Sequence, residues 1–267
     1  MDHDGGRRLA LITGASSGIG LELARQFASH GYDLVIAAED EGIQTAAATL
    51  RPDGADVEAV QVDLTTEQGV ESLYEVVRAT GRPLDAVALN AGIGEGGAFV
   101  TDTDLRRELR LVDLNVRSTV HLSKLVLRDM VTRGNGRVLF TSSVASTMPG
   151  PFQAVYNASK SFVQSFALAL RNELKDTDVT VTALMPGPTD TEFFEKAGMT
   201  DTRVGAGSKD DPADVARMGF EALMEGRERV VASSVSSRVQ GRAGRLLPDS
   251  VKAEMHRKLA EPGSGGR

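Results

Sequence analysis

Short apolar runs alternate with helix-patterned segments along almost the whole chain, and no other feature narrows the available folds as much. Residues 9–12, 33–38, 57–62, 86–89, 137–141 and 179–184 read as strands, with 229–232 as an edge strand. Between them, apolar residues recur at helical spacing: Leu21, Ala24, Phe27 and Ala28 in the first intervening segment, then Leu105, Leu109, Val112, Val116, Val120 and Leu127 in a long one that stops near Gly134. Phe162, Phe166, Leu170 and Leu174 mark another over 155–175, and further helices are expected near 42–50, 66–80 and 212–224. Strands without a polar face need cover on both sides, which means a parallel sheet between two helical layers. Right-handed crossovers then give an α/β chain with a single doubly wound (Rossmann) parallel sheet and helices on both faces, whose ligands lie at the carboxyl ends of the strands.

A chain of 267 residues with 41% hydrophobic content can bury one sizeable core, placed at 9–255. Residues 1–8 read as a flexible start and 256–267 as a disordered tail. The stretch 186–212 holds four Gly and three Pro and reads as a long, partly mobile loop with a short helix, the substrate loop being placed near 188–212. With no Cys and four scattered His, metal ligation is not expected. The balance of 30 Lys+Arg against 37 Asp+Glu, a net −7, argues against nucleic acid as a partner. No apolar run approaches the ~18 residues of a membrane helix, so no membrane association and a cytoplasmic location are expected.

The first strand runs into Thr13-Gly-Ala-Ser-Ser-Gly-Ile-Gly20. Gly14, Gly18 and Gly20 allow a tight turn and let a pyrophosphate approach backbone N–H groups at a helix N-terminus, with Ser16, Ser17 and Ile19 lining the turn. Glu39 lies 19 residues after Gly20, where an acid that accepts from the adenosine ribose hydroxyls is expected. Glu39 and Asp40 would repel a 2′-phosphate and no cation stands near them in sequence, which favours NAD over NADP. The same acidic run equally suits a solvated turn, and Asp63 either faces the adenine or caps the following helix.

Tyr156 and Lys160 are four apart at the start of a helix and project from one face. An adjacent ammonium favours the phenolate and would bring the phenol closer to working pH, so that Tyr156 exchanges a proton with a carbonyl or alcohol oxygen. Ser143, thirteen residues earlier at a strand end, places a hydroxyl at the same sheet edge.

These residues, together with Asn90-Ala91-Gly92, Asn115, and Pro186-Gly187 followed by Thr191, stand in the order and spacing of the short-chain dehydrogenase/reductases, which the chain resembles from about 9 to 231. The resemblance implies a catalytic tetrad of Asn115, Ser143, Tyr156 and Lys160: Tyr156 as acid/base, Ser143 on the substrate oxygen, Lys160 on the nicotinamide ribose, and Asn115 holding a water that relays protons to Lys160. It implies that Asn90, Ala91 and Gly92 line the cofactor, and that Pro186, Gly187 and Thr191 meet its nicotinamide end. Ala38-Glu39 matches neither the Asp usual in the family's NAD enzymes nor the Arg of many of its NADP enzymes, so the acidic side chain selects NAD by charge alone, with NADP as the alternative.

Substrate contacts are expected from 93–98, 145–155 and 192–207, where Met148, Pro149, Pro151, Phe152, Phe193 and Phe194 suit an aliphatic or cyclic alcohol or ketone, or else pack the loops onto the sheet. The expected reaction is hydride transfer between NAD(P) and a secondary alcohol or ketone. A 3-ketoacyl thioester reductase and a non-catalytic nucleotide sensor are the alternatives. Surplus apolar positions on the two long helices suit a homodimer or homotetramer.

Overall fold

The computed structural model describes residues 6–51, 54–232 and 247–266. Seven strands, β1 (Arg8–Thr13), β2 (Tyr32–Ala38), β3 (Val57–Gln61), β4 (Leu84–Leu89), β5 (Gly136–Thr141), β6 (Val179–Pro186) and β7 (Arg229–Ala232), form one sheet in the order β3-β2-β1-β4-β5-β6-β7. Every pairing is parallel, and the chain reverses its direction of winding between β1 and β4. That reversal opens the crevice in which such sheets bind ligands.

The alternation of side chains explains the two helical layers. Ala10 and Ile12 of β1 and Leu34 and Ile36 of β2 point into a core shared with α1 (Gly18–Ser29), α2 (Gly42–Leu50) and α9 (Pro212–Met224). Leu9, Leu11, Val35 and Ala37 point the other way, onto α3 (Glu67–Ala79), α5 (Thr119–Arg133) and α6 (Ala154–Glu173). In the first layer Phe27 meets Tyr32 and Phe220 edge to face, at 5.1 Å each. Truncating a fully buried Phe27 to Ala costs about 3–5 kcal/mol. Gly31 (φ +82°) and Gly134 (φ +76°) follow α1 and α5, as their positions after the apolar periodicity suggest.

The long helical pattern is one rod with a defect. α4 (Leu105–Val112) continues through a π-helical turn, Asp113–Ser118, into α5. Asn115 sits in that turn at 1% exposure, and Thr119 Oγ1 donates to its carbonyl at 2.9 Å. Two short helices, α7 (Phe193–Lys196) and α8 (Arg203–Ala206), order the loop after β6.

The expected loose tail at 256–267 is corrected. α10 (Asp249–Ala260) carries buried His256 and Ala260, and His256 Nδ1 donates to the Pro151 carbonyl at 3.1 Å. Beyond it, Gly263 N–H and Gly265 N–H donate to Asp201, and Ser264 Oγ accepts from Arg203 N–H. The polar, Gly-rich composition that reads as disorder serves here to close hydrogen bonds against the start of α8 and the turn before it. Of the expected flexible start, residues 1–5 lie outside the described residues, whereas Arg7 pairs with Asp33 at 3.1 Å and Arg8 begins β1.

Candidate active site

The carboxyl ends of β1, β4, β5 and β6 surround a cavity of ≈ 1480 Å³. That exceeds the 300–1,000 Å³ typical of drug-sized ligands and leaves room for two molecules side by side.

Its floor is the glycine turn. Gly14 (φ +67°) and Gly18 (φ +54°) adopt the left-handed conformation, and a Cβ on Gly20 would stand 1.9 Å from the Gly14 carbonyl oxygen and 2.6 Å from Asn90 Nδ2. Ser17 precedes α1 without a side-chain cap, so the first N–H groups of that helix face the cavity with no side-chain partner. A cradle that tolerates no side chains, at an uncapped helix N-terminus, suits a dinucleotide pyrophosphate.

Hydrogen bonds tie the strand ends together under this turn. Thr13 Oγ1 accepts from the N–H groups of Asn90 and Ala91 at 3.0 Å each, and Asn90 Nδ2 donates to the carbonyls of Thr13 and Gly14 at 3.2 and 3.4 Å. Asn90 Oδ1 in turn accepts from Thr141 Oγ1 at 3.0 Å. Asn115 fixes the next segment through both side-chain atoms, accepting from Ile93 N–H (3.0 Å) and donating to Ile93 O (2.9 Å) and Ser159 Oγ (3.0 Å). Gly92 lies between Asn115 and Lys160: a Cβ there would be 3.0 Å from Lys160 Nζ. Thr191 closes over the turn, its Cγ2 2.8 Å from where a Gly18 Cβ would sit, and Gly187 N–H bonds the Ala232 carbonyl at 3.0 Å.

The Tyr156 and Ser143 side chains line the same cavity, and the Tyr156 ring packs at 5.2 Å on Phe193. The electrostatics correct one expectation. Burial pushes the Tyr156 phenol up to about 12, opposed by Ser143, so the net shift is upward where the pairing with Lys160 suggested a lowering. The Lys160 ammonium instead donates to the Thr141 carbonyl at 3.0 Å and stands 5.9 Å from the Tyr156 ring centre. Its own burial pulls it down to about 8. Both side chains come from the first two turns of α6, so the i, i+4 spacing did bring them to one wall.

The adenosine end holds the largest surprise. Glu39 and Asp63 stand 24 residues apart, and both are held by Arg110 from α4: Nη2 donates to Glu39 Oε1 at 2.6 Å, and Nη1 reaches Asp63 Oδ2 and Thr65 Oγ1 at 3.3 Å each. Desolvation would raise the Asp63 carboxyl, but the Thr65 hydrogen bonds and the Arg110 charge outweigh it and hold the group below its usual range. Asp63 also accepts from Thr65 N–H just ahead of α3, whose cap is Thr66. Ser16 Oγ donates to Asp40 at 2.8 Å.

Of the expected substrate-loop residues, Met148, Phe193 and Phe194 line the cavity, whereas Phe152 packs under Arg257 in a left-handed conformation (φ +65°). Sequence reasoning missed Arg110 and Met255 and Leu259 of α10, which reach the same cavity. It also missed Glu95, 8% exposed and paired with Arg107 at 2.8 Å, whose carboxyl burial raises against the Arg107 charge. A four-residue apolar repeat, Leu247, Val251, Met255 and Leu259, was a readable sign of α10. Among the described residues no cluster of metal-ligating side chains occurs and no helix is long and apolar enough to cross a membrane.

The short-chain dehydrogenase family model matches residues 8–201. A putative ketoacyl reductase of Streptomyces coelicolor is 32% identical over 259 residues, 96% of this chain and 91% of its own. Among solved structures, a short-chain dehydrogenase from Sphingobium yanoikuyae in complex with NADPH superposes with a TM-score of 0.79 at 30% identity, covering 89% of this chain and 92% of that one. A short-chain dehydrogenase/reductase from Burkholderia phymatum in complex with NAD gives 0.80 at 25% identity, over 90% and 94%. The chain belongs to the short-chain dehydrogenase/reductase family. It is an oxidoreductase that acts on CH–OH or C=O groups with NAD(P).

Proposed function

We propose that this enzyme interconverts a secondary alcohol and its ketone, with Tyr156 as the acid/base. One observation carries the reading: Ser143, Tyr156 and Lys160 line the same cavity as the glycine turn. A nicotinamide dinucleotide held by Gly14–Gly20, Glu39, Asp63, Asn90–Gly92, Pro186, Gly187 and Thr191 supplies or takes up the hydride. Ser143 then holds the substrate oxygen. The Tyr156 phenol, kept protonated at neutral pH by its burial, gives its proton to that oxygen in reduction and recovers it in oxidation. Lys160 holds the nicotinamide ribose, and Asn115 fixes the backbone beside it and positions the relay water. NAD is preferred over NADP, because Glu39 is placed to accept from the adenosine ribose hydroxyls and the charges of Glu39 and Asp40 repel a 2′-phosphate.

Met148, Phe193, Phe194, Met255 and Leu259 make the substrate end apolar, which supports an aliphatic or cyclic substrate. Lys196, Arg203, Arg229 and Lys252 also reach the cavity and favour a second reading, an anionic 3-ketoacyl thioester. Lys196, Arg229 and Lys252 pair with the nearby carboxylates Glu192, Glu228 and Asp249, so the first reading stands. Exposed Leu105, Leu109 and Phe162, beside a shallow groove of Phe99, Val112, Val116 and Ala158, support a homodimer or homotetramer. Cytoplasmic residence belongs to the same proposal, and cell fractionation tests it.

The direct test is turnover of NADH and NADPH against a panel of apolar ketones, in the wild type and in Tyr156→Phe. The variant should lose about 10²–10⁴-fold in kcat while nucleotide affinity stays within twofold. Unchanged turnover in Tyr156→Phe would remove the acid/base assignment.

A further inference from the structure

The guanidinium of Arg110 reaches the adenosine end of the cavity from a helix 71 residues beyond Glu39, a placement that sequence spacing could not foresee. Three carboxylates, Glu39, Asp40 and Asp63, stand at that rim. Asp40 is occupied by Ser16 Oγ at 2.8 Å and by Gly42 N–H at 3.0 Å. Glu39 and Asp63 share Arg110, through one nitrogen each. The contact to Glu39 is short, 2.6 Å, and both partners are open to solvent, at 39% exposure for Arg110 and 64% for Glu39. The pair can therefore open without burying a charge.

A guanidinium is a planar fork of N–H donors that fits phosphate oxygens two at a time. In the closed pair Nη2 is turned to Glu39 while Nη1 stays on Asp63 and Thr65, and the carboxylates of Glu39, Asp40 and Asp63 surround the single charge of Arg110. A 2′-phosphate, with its own charge near −2, would meet repulsion there. Removing the Glu39 carboxylate cancels one repelling charge and also frees the arm of Arg110 that Glu39 holds. The two effects are separable, because only the second needs Arg110.

Resting on the reading of this cavity as a dinucleotide site, we propose that Arg110 is a latent ligand for a ribose 2′-phosphate, masked by Glu39, so that the Glu39–Arg110 pair and not Glu39 alone decides between NAD and NADP. Arg110 is in this sense a specificity-determining residue on α4, away from the glycine turn and the end of β2.

The experiment is a double-substitution cycle read by nicotinamide fluorescence, giving Kd for NADH and NADPH in the wild type, Glu39→Ala, Arg110→Ala and the double variant. Glu39→Ala should bind NADPH about tenfold or more tighter than the wild type, the size of one charge-assisted hydrogen bond from the freed Nη2. In the double variant that gain should fall to within about threefold of the wild type, with no matching coupling for NADH. Arg110→Lys in the Glu39→Ala background keeps the charge without the fork and should retain only part of the gain, which guards against a misfolded alanine variant. A gain that survives intact in the double variant overturns the proposal, since relief of repulsion then accounts for it. Equal coupling for both nucleotides overturns it too, because the pair then only organises the rim. Binding of neither nucleotide by any of the proteins overturns the dinucleotide reading and this inference with it.

Discussion

Gly20→Ala tests the floor of the site with a single methyl group. The added carbon would sit 1.9 Å from the Gly14 carbonyl oxygen, 2.7 Å from its carbon and 2.6 Å from Asn90 Nδ2. None of these is a flexible side-chain end: Gly14 is backbone in the turn, and Asn90 is pinned by Thr13, Gly14 and Thr141. The turn must therefore open. Overpacking of this kind costs about 1–3 kcal/mol, and at roughly 2 °C per kcal/mol for a chain of this size the Tm should fall by about 2–6 °C. The larger effect falls on binding, because the displaced groups shape the phosphate cradle, and NADH affinity should drop at least about tenfold, or 1.4 kcal/mol. Gly31→Ala is the matched control: φ is +82° but nothing lies within 4 Å of the new Cβ. It should lose about 1–2 kcal/mol of stability to left-handed strain and keep its affinity. Calorimetry and fluorescence titration on both variants decide the matter. If Gly20→Ala keeps wild-type affinity, or if Gly31→Ala loses as much, the close approach at Gly20 does not shape the site.

Reduction should show no titration of Tyr156 below about pH 10, because burial holds the phenol near 12; any loss of rate around pH 8 should follow Lys160, and a midpoint near pH 6 in the rate profile would contradict this. Burial holds the His256 imidazole below its usual range, so the unfolded chain binds more protons in weak acid; the stabilisation is complete above about pH 6.5 and is lost as pH falls through the lowered native value. The Tm of the wild type should then drop more steeply between pH 7 and pH 5 than that of His256→Asn, and parallel slopes would refute the assignment. Arg171 donates to the carbonyls of Val181 and Gly226 at 2.7 and 2.9 Å, so Arg171→Ala should cost about 1–3 kcal/mol in urea unfolding with nucleotide affinity unchanged.

The sheet was readable because β1, β2 and β4 are apolar on both faces, a pattern that only a covered parallel sheet explains. Gly14, Gly18 and Gly20 were readable because local backbone geometry needs them, and Tyr156 with Lys160 because four residues make about one helical turn. Pairings across long separations left no such mark. Nothing near Glu39 in sequence announces Arg110, and nothing near Pro151 announces His256. The Tyr156 electrostatics escaped for a related reason: the i, i+4 rule gives proximity, but burial and the Thr141 carbonyl decide what the ammonium does. The apolar spacing from Leu105 to Leu127 does not mark the π-helical turn; only Asn115 itself, a residue that suits a kink inside a helix, hints at it.

The strand order has a consequence for a chain emerging from a ribosome. β1 to β4 can pair among themselves once Leu89 is out, and each later strand then joins at one growing edge, in the order it is made. The first such edge is β4, six residues that are all buried in the finished sheet, and 46 residues separate its end from the start of β5. At ~5–20 residues per second that edge waits about 2–9 s for its partner. An unpaired apolar strand of this kind invites association with another chain. Pulse proteolysis of nascent chains stalled between residues 100 and 130 would show whether the nucleotide half has already closed. A chain still fully cleaved at that length would mean that the sheet forms only after β5 arrives.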